Sequence, residues 1–176
     1  MLLETERIFL RALEPEDLDV LYQWENDSEL WKYGATLTPY SRFSLREYLE
    51  NSLQQSIVQS GQLRLMIIHK ESNQTIGTVD LYDYNPIHLR AGIGILIDQG
   101  FRNKGYGEEA LALIQEYAFR VLFLQQLYAH IPATNKNSLN LFSKSGYEQA
   151  GILRSWLKTE SGFADVCLMQ LINFNH

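Results

Sequence analysis

Apolar side chains recur along the chain with two periods, and each switch between them marks a new element. "RIFLRAL" (residues 7–13) has the short, apolar-rich pattern of a strand. A helix is predicted next, in "EPEDLDVLYQWEND", where Pro15 suits a first helical turn and Glu14, Glu16 and Asp17 suit the positive helix end. Leu45, Tyr48, Leu49, Leu53 and Ile57 keep near-helical spacing behind Ser44, which is predicted to cap a second helix. "QLRLMIIHK", "TIGTVDLYDY" and "RAGIGILID" are rich in β-branched and apolar residues, with turn chemistry in "KESNQ" between the first two, and predict a three-stranded meander. After a glycine-rich corner, Ala110, Leu113, Ile114, Tyr117, Ala118 and Val121 form one helical stripe that must pack on the sheet. "QLYAHI" (126–131) predicts a further strand, "NSLNLFSKSG" a short helix stopped by Gly146, and "YEQAGILRSWLK" with "ADVCLMQLI" a closing hairpin. This order predicts an α+β fold around a mixed sheet.

Composition narrows what such a fold can do. A chain of 176 residues is expected to form a single domain, 1–176, with one sizeable core. The net charge of -6 argues against nucleic acid or an anionic membrane as the main partner, since both need a basic surface. Cys167 is the only cysteine, which excludes an intrachain disulfide and a cysteine-based metal cluster; it is expected to be a core thiol, and no metal is expected. "MLLETERIFLR" has acids where a signal peptide needs a basic start, and no stretch approaches the roughly 20 apolar residues of a membrane span, so a cytoplasmic location is expected. Assembly into a homo-oligomer is left open.

Candidate chemistry concentrates in "GFRNKGYGEE" (100–109), a basic, glycine-rich corner in an acidic chain. Gly100 and Gly105 have the Walker separation, but Tyr106 and Gly107 stand where the lysine and the Ser/Thr are required. Gly105, Gly107 and Ala110 satisfy G-x-G-x-x-A, yet "QGFRNK" intervenes before the glycines, and no Asp or Glu lies between Arg120 and Asn135 to take a ribose hydroxyl. What survives is a general anion cradle of glycine amides and free helix-start N–H groups, assisted by Arg102 and Lys104. From this segment alone, an ordinary helix entry with solvated basic side chains remains the competing reading.

"GFRNKGYGEEAL" resembles the R/Q-x-x-G-x-G/A motif of the GNAT N-acetyltransferases, and "NKNSLNLFSKSGYE" resembles their downstream N-x-x-S-x-x-L/Y-x-K-x-G-F segment. "FLRALEPEDLDVLYQWEND", "GTVDLYDYNPIHLRAGIGI" and "GILRSWLK" are similar to the spermidine and ribosomal-protein N-acetyltransferase branches. The resemblance implies a mostly antiparallel sheet splayed between its fourth and fifth strands, flanked by helices, with acetyl-CoA wedged in the splay as co-substrate. It implies that backbone groups of Ile95, Leu96 and Ile97 meet the pantetheine arm and thioester carbonyl. Arg102, Asn103, Lys104, Gly105, Tyr106 and Gly107 would hold the pyrophosphate, with Glu108 at the helix start. Asn135 and Ser138 match the second coenzyme-contacting segment, with helix capping the alternative role for Asn135. Lys144 is placed either near the nucleotide or in solvent.

The reaction this implies needs a proton acceptor, because an amine with a lysine-like pKa of about 10 is protonated near neutral pH. Many relatives place an acid on the fourth strand, where this chain has Gly92 and Gly94, and the polyamine branch has a proton-donating tyrosine where this chain has Phe142. Ser138, His130 and Tyr147 are the candidates to fill these roles, Ser138 foremost as the catalytic residue. Asp80, Asp83 and His88 match positions along the acceptor groove, whereas "KYGATLTPY" lacks the acidic pair carried by polyamine-acetylating relatives. The expected activity is direct acetyl transfer within a ternary complex to a primary amine, on a polyamine-like small molecule or a protein N-terminus. A non-catalytic sensor that binds acetyl-CoA is the alternative from a different class.

Overall fold

The computed structural model describes residues 3–31 and 38–174. Seven strands form one sheet: β1 (Ile8–Ala12), β2 (Leu63–His69), β3 (Gln74–Asn85), β4 (Arg90–Ile97), β5 (Gln126–Pro132), β6 (Glu148–Thr159) and β7 (Gly162–Ile172). They lie in the order β1-β2-β3-β4-β5-β7-β6, and every pair is antiparallel except β4 and β5. That parallel pair needs a crossover, which helix α5 (Tyr106–Arg120) supplies. Its register holds for three rungs only, Arg90↔Gln126, Ala91↔Leu127 and Gly92↔Tyr128. β4 runs on to Ile97 and β5 to Pro132 without pairing to each other, so the sheet opens in the expected place, between the fourth and fifth strands.

Side-chain alternation sends the two faces of the sheet to different helices. On one face Ala91, Ile93, Leu127, Ala129 and Ile131 meet Ala110, Leu111, Leu113, Ile114 and Ala118 of α5 in the larger core cluster. Leu111 and Ile114 are fully buried there, each worth about 1.5–3 kcal/mol of apolar transfer. The predicted stripe is correct but for its last member: Val121 is 43% exposed, and Leu111 belongs in the stripe instead. On the opposite face Met66 and Ile68 pack on Leu21 and Trp24 of α1 (Leu18–Glu25) and Leu49 of the helix Arg42–Gln54.

Helix boundaries differ from expectation for local reasons. A single turn, Pro15–Asp17, precedes α1; buried Asp17 takes a two-pronged pair from Arg11, at 2.7 and 2.8 Å, and also accepts from the Glu14 amide. A further one-turn helix, α2, spans Ser28–Trp31. Ser41, not Ser44, caps the next helix, α3 (Arg42–Gln54), because the cap oxygen must accept from an amide three residues on, and that amide is Ser44's at 3.0 Å. Ile57 does not continue α3; it opens a separate turn, α4 (Ile57–Ser60), behind a capping box of Ser56 and Gln59. Gly146, at φ 92°, stops α6 (Lys136–Lys144) as predicted, and Cys167 is buried. No helix among the described residues is long and apolar enough to cross a membrane.

Candidate active site

Beyond β4 the chain turns through Gln99–Phe101, where Asp98 accepts from the Gly100 amide and, with its other oxygen, from the Trp24 indole, each at 3.1 Å. Asn103 and Gly105 both take left-handed φ, 59° and 85°, and Gly105 delivers the chain into α5. A brace from β1 holds this corner. Arg7 donates to the Lys104 carbonyl at 3.0 Å, pairs with Glu109 and lies 4.6 Å above the Tyr106 ring. The Tyr106 hydroxyl in turn meets His69 on β2 at 3.0 Å. None of Arg7, His69 or Glu109 is recognisable in the sequence, because each contact joins segments distant along the chain.

The first bond within α5 runs from the Glu109 amide to the Gly105 carbonyl, so the amides of Tyr106, Gly107 and Glu108 have no partner inside the helix. Gly107 brings α6 close: a Cβ there would stand 3.1 Å from Leu141 Cδ2. Between this helix start, α6 and the end of β4 lies an open cleft of about 500 Å³. Ile95, Leu96, Ile97, Arg102, Asn103, Gly105, Tyr106, Gly107, Glu108, Asn135 and Ser138 all line it, so the two sequence motifs converge on one space. Lys104 does not; its ammonium donates to the Gly100 carbonyl at 2.9 Å and stands over Phe101. Arg102 uses Nε on the Ile97 carbonyl at 2.8 Å, which leaves its terminal nitrogens for a ligand. Asn135 caps α6, accepting from the Ser138 amide at 3.2 Å, while the Ser138 hydroxyl has no hydrogen-bond partner among the described residues. Leu30, Phe101, Asn137, Asn140, Leu141 and Lys144 also line the cleft, and of these Leu30 alone lies outside the two motif stretches.

Free amides, side-chain-free glycines and an arginine line the mouth of the splay, the arrangement of an anion cradle. Residues 7–148 match the family model for an acetyltransferase (GNAT) domain. The chain belongs to the GNAT family. It is 30% identical over 170 residues to the N-acetyltransferase p20 of Bacillus licheniformis, covering 97% of this chain and 95% of that one. It is 26% identical to a spermidine N(1)-acetyltransferase of Vibrio cholerae, covering 94% and 93%. A solved spermidine N-acetyltransferase from Vibrio cholerae, in complex with CoA and spermine, superposes with a TM-score of 0.85 at 24% identity over 96% of both chains. This GNAT protein is therefore an acetyl-CoA-dependent N-acetyltransferase, with the fold of that solved structure.

The other side of the splay in this GNAT chain differs in construction. Gly92 and Gly94 both face the α1/α3 side, but their surroundings are opposite. An added Cβ at Gly92 would stand 2.2 Å from Tyr82 Cε2, so the Tyr82 ring fills that space, whereas Gly94 has no atom of the described residues within 4 Å. The Tyr82 hydroxyl meets Nδ1 of His130 at 3.3 Å, and Tyr128 stacks edge-on to both rings. Burial, then the neighbouring Tyr128, push the Tyr82 hydroxyl up to about 12, so it stays protonated at neutral pH. Asp80, register partner of Gly94, is gripped by Arg64 at 2.7 and 3.1 Å, and Arg64 also reaches Glu25 at 3.0 Å. Burial pulls the guanidinium's pKa down, but the charge of Asp80 and its hydrogen bonds outweigh this and raise it. Asp83 sits apart from this pair, in the irregular stretch where the β3–β4 register shifts, at φ 47°. His88 lies exposed in the β3–β4 turn, at the far end of β4 from the cleft, with its amide on Asn85. Phe142 is 2% exposed and packs edge-to-face on buried Tyr147 at 4.9 Å, so both belong to the core; burial raises the Tyr147 hydroxyl's pKa. Residues 32–37 of "KYGATLTPY" lie outside the described residues.

Proposed function

We propose that this enzyme binds acetyl-CoA in the cleft below the splay and transfers the acetyl group directly to a primary amine, on a polyamine-like small molecule or a protein N-terminus. The convergence of the free α5 amides with Ser138 and Asn135 on one cleft carries the reading. The amides of Tyr106, Gly107 and Glu108, with Arg102, would hold the pyrophosphate, and Ile95 to Ile97 would take the pantetheine arm. Similarity to spermidine acetyltransferases supports an amine acceptor. The Arg64 grip on Asp80 lowers the acidity of the groove and leaves room for acceptors less cationic than a polyamine. Ser138, whose hydroxyl has no hydrogen-bond partner among the described residues, would hand a proton, directly or through water, to the departing thiolate. That demand is modest, because a thiol pKa of about 8.5 makes thiolate a fair leaving group. Self-association is part of the proposal, since a spermidine N-acetyltransferase of the same fold is dodecameric.

A thiol-release assay across polyamines, amino acids, aminoglycosides and N-terminal peptides, run beside thermal melting with acetyl-CoA, tests the function. The expected result is a raised Tm with acetyl-CoA and thiol release with at least one primary amine. A raised Tm without release from any amine would favour the sensor, and no change in Tm would remove the coenzyme reading altogether.

A further inference from the structure

β4 and β5 part after the rung Gly92↔Tyr128, and the next residues on the same face are Gly94 and His130, one on each diverging strand. Paired strands lie about 4.8 Å apart, so beyond this rung the two positions face each other across a wider gap. Gly94 leaves its side of the gap empty. The other side carries an exposed imidazole already bonded to a phenol, and that phenol is fixed by packing on the bare backbone of Gly92. An amine entering over Gly94 therefore meets a hydroxyl and an imidazole in series. Because it remains protonated, Tyr82 can pass a proton on only while taking one up.

We infer that Tyr82 and His130 are the proton acceptor for the incoming amine: an ammonium N–H bond breaks, its proton passes to the Tyr82 oxygen, and the Tyr82 proton passes to Nδ1 of His130. The nitrogen lone pair so freed forms the bond to the acetyl carbon; the carbon–sulfur bond then breaks with its electron pair on sulfur, and the nitrogen's second proton passes to that thiolate, through the Ser138 hydroxyl or water, leaving a neutral amide and the CoA thiol. Tyr82 ends neutral as it began, and His130 ends as imidazolium. The pair thus supplies the role for which β4 itself, with Gly92 and Gly94, has no side chain. Asp83 on β3 and Tyr128 on β5 act on Tyr82, Arg90 on β4 acts on Tyr128, and β7 places uncharged Leu168 opposite His130. This inference rests on the proposed amine acetylation.

The test uses whichever of spermidine, 1,4-diaminobutane or a short free-N-terminus peptide the wild-type protein acetylates fastest. With a side-chain base, log kcat/KM reaches a plateau well below the amine's own pKa of about 10. Without one, the rate follows the small fraction of free amine and keeps rising with unit slope. Tyr82→Phe, which keeps the ring over Gly92, and His130→Gln are both expected to lose the plateau and to fall at least tenfold at pH 7. Both should retain the wild-type rise in Tm with acetyl-CoA. A wild-type plateau preserved in both variants overturns the inference alone, as does loss of the acetyl-CoA effect on Tm, which would mark the residues as structural. Absence of wild-type transfer to these and to every amine of the wider panel overturns the proposed function and this inference with it.

Discussion

In the proposed complex the two sides of the splay would meet the same thioester, yet they are made of different material. The cradle side is largely backbone: three helix-start amides, two glycines and a capped short helix, with Arg102 and Lys144 at its wall. The opposite side, where the proposed acceptor would enter, is made of side chains, an Arg64–Asp80–Glu25 cluster and a Tyr82–Tyr128–His130 cluster. A backbone cradle recognises what every acetyl-CoA has in common, and it is set by local glycine geometry. A side-chain surface can be changed one residue at a time, which is where acceptor choice and proton handling can diverge between relatives that share a fold.

Substitutions on each side should therefore fail differently. Gly105→Asp forces a side chain onto a left-handed position, its Cβ 3.1 Å from Arg7 Nη2, and adds a negative charge beside the helix-start amides; it is expected to lower kcat/KM for acetyl-CoA more than a hundredfold, which steady-state kinetics against acetyl-CoA concentration would show. Gly92→Ala instead displaces the Tyr82 ring and should lower kcat roughly ten- to a hundredfold while the KM for acetyl-CoA stays put, the split expected when an interaction made in the transition state is lost. Ser138→Ala should lower kcat several-fold without weakening acetyl-CoA; an unchanged single-turnover rate would assign the leaving-group proton to water. Phe142→Tyr buries a hydroxyl beside Tyr147 and should destabilise by about 1–3 kcal/mol without raising turnover, measured by denaturant unfolding and the same single-turnover assay. Faster turnover in that variant would mean that the ring reaches the sulfur after all.

This contrast also explains what could be read from the sequence. Strand order, the α5 stripe and the cradle depend on local periodicity, glycine positions and short motifs, and these pointed to the residues that line the cleft. The acceptor side depends on register. Tyr82 meets Gly92 because β3 and β4 pair there, and Arg64 takes Asp80 across β2 and β3, neither of which has a spacing signature. Nothing local to Asp80 marks its pairing with Arg64, sixteen residues away on the neighbouring strand. Phe142 read as an unfilled catalytic position, whereas it packs in the core. The brace of the corner by Arg7 joins residues 102 positions apart, beyond any local pattern.

The central claim is that the coenzyme is held from the cradle side alone. Calorimetric titration of CoA into the wild-type protein, Gly92→Ala and Gly105→Asp tests it directly. Wild type and Gly92→Ala should bind with equal affinity while a folded Gly105→Asp shows no measurable heat of binding; wild-type affinity in Gly105→Asp, or lost affinity in a folded Gly92→Ala, would contradict the division between the two sides.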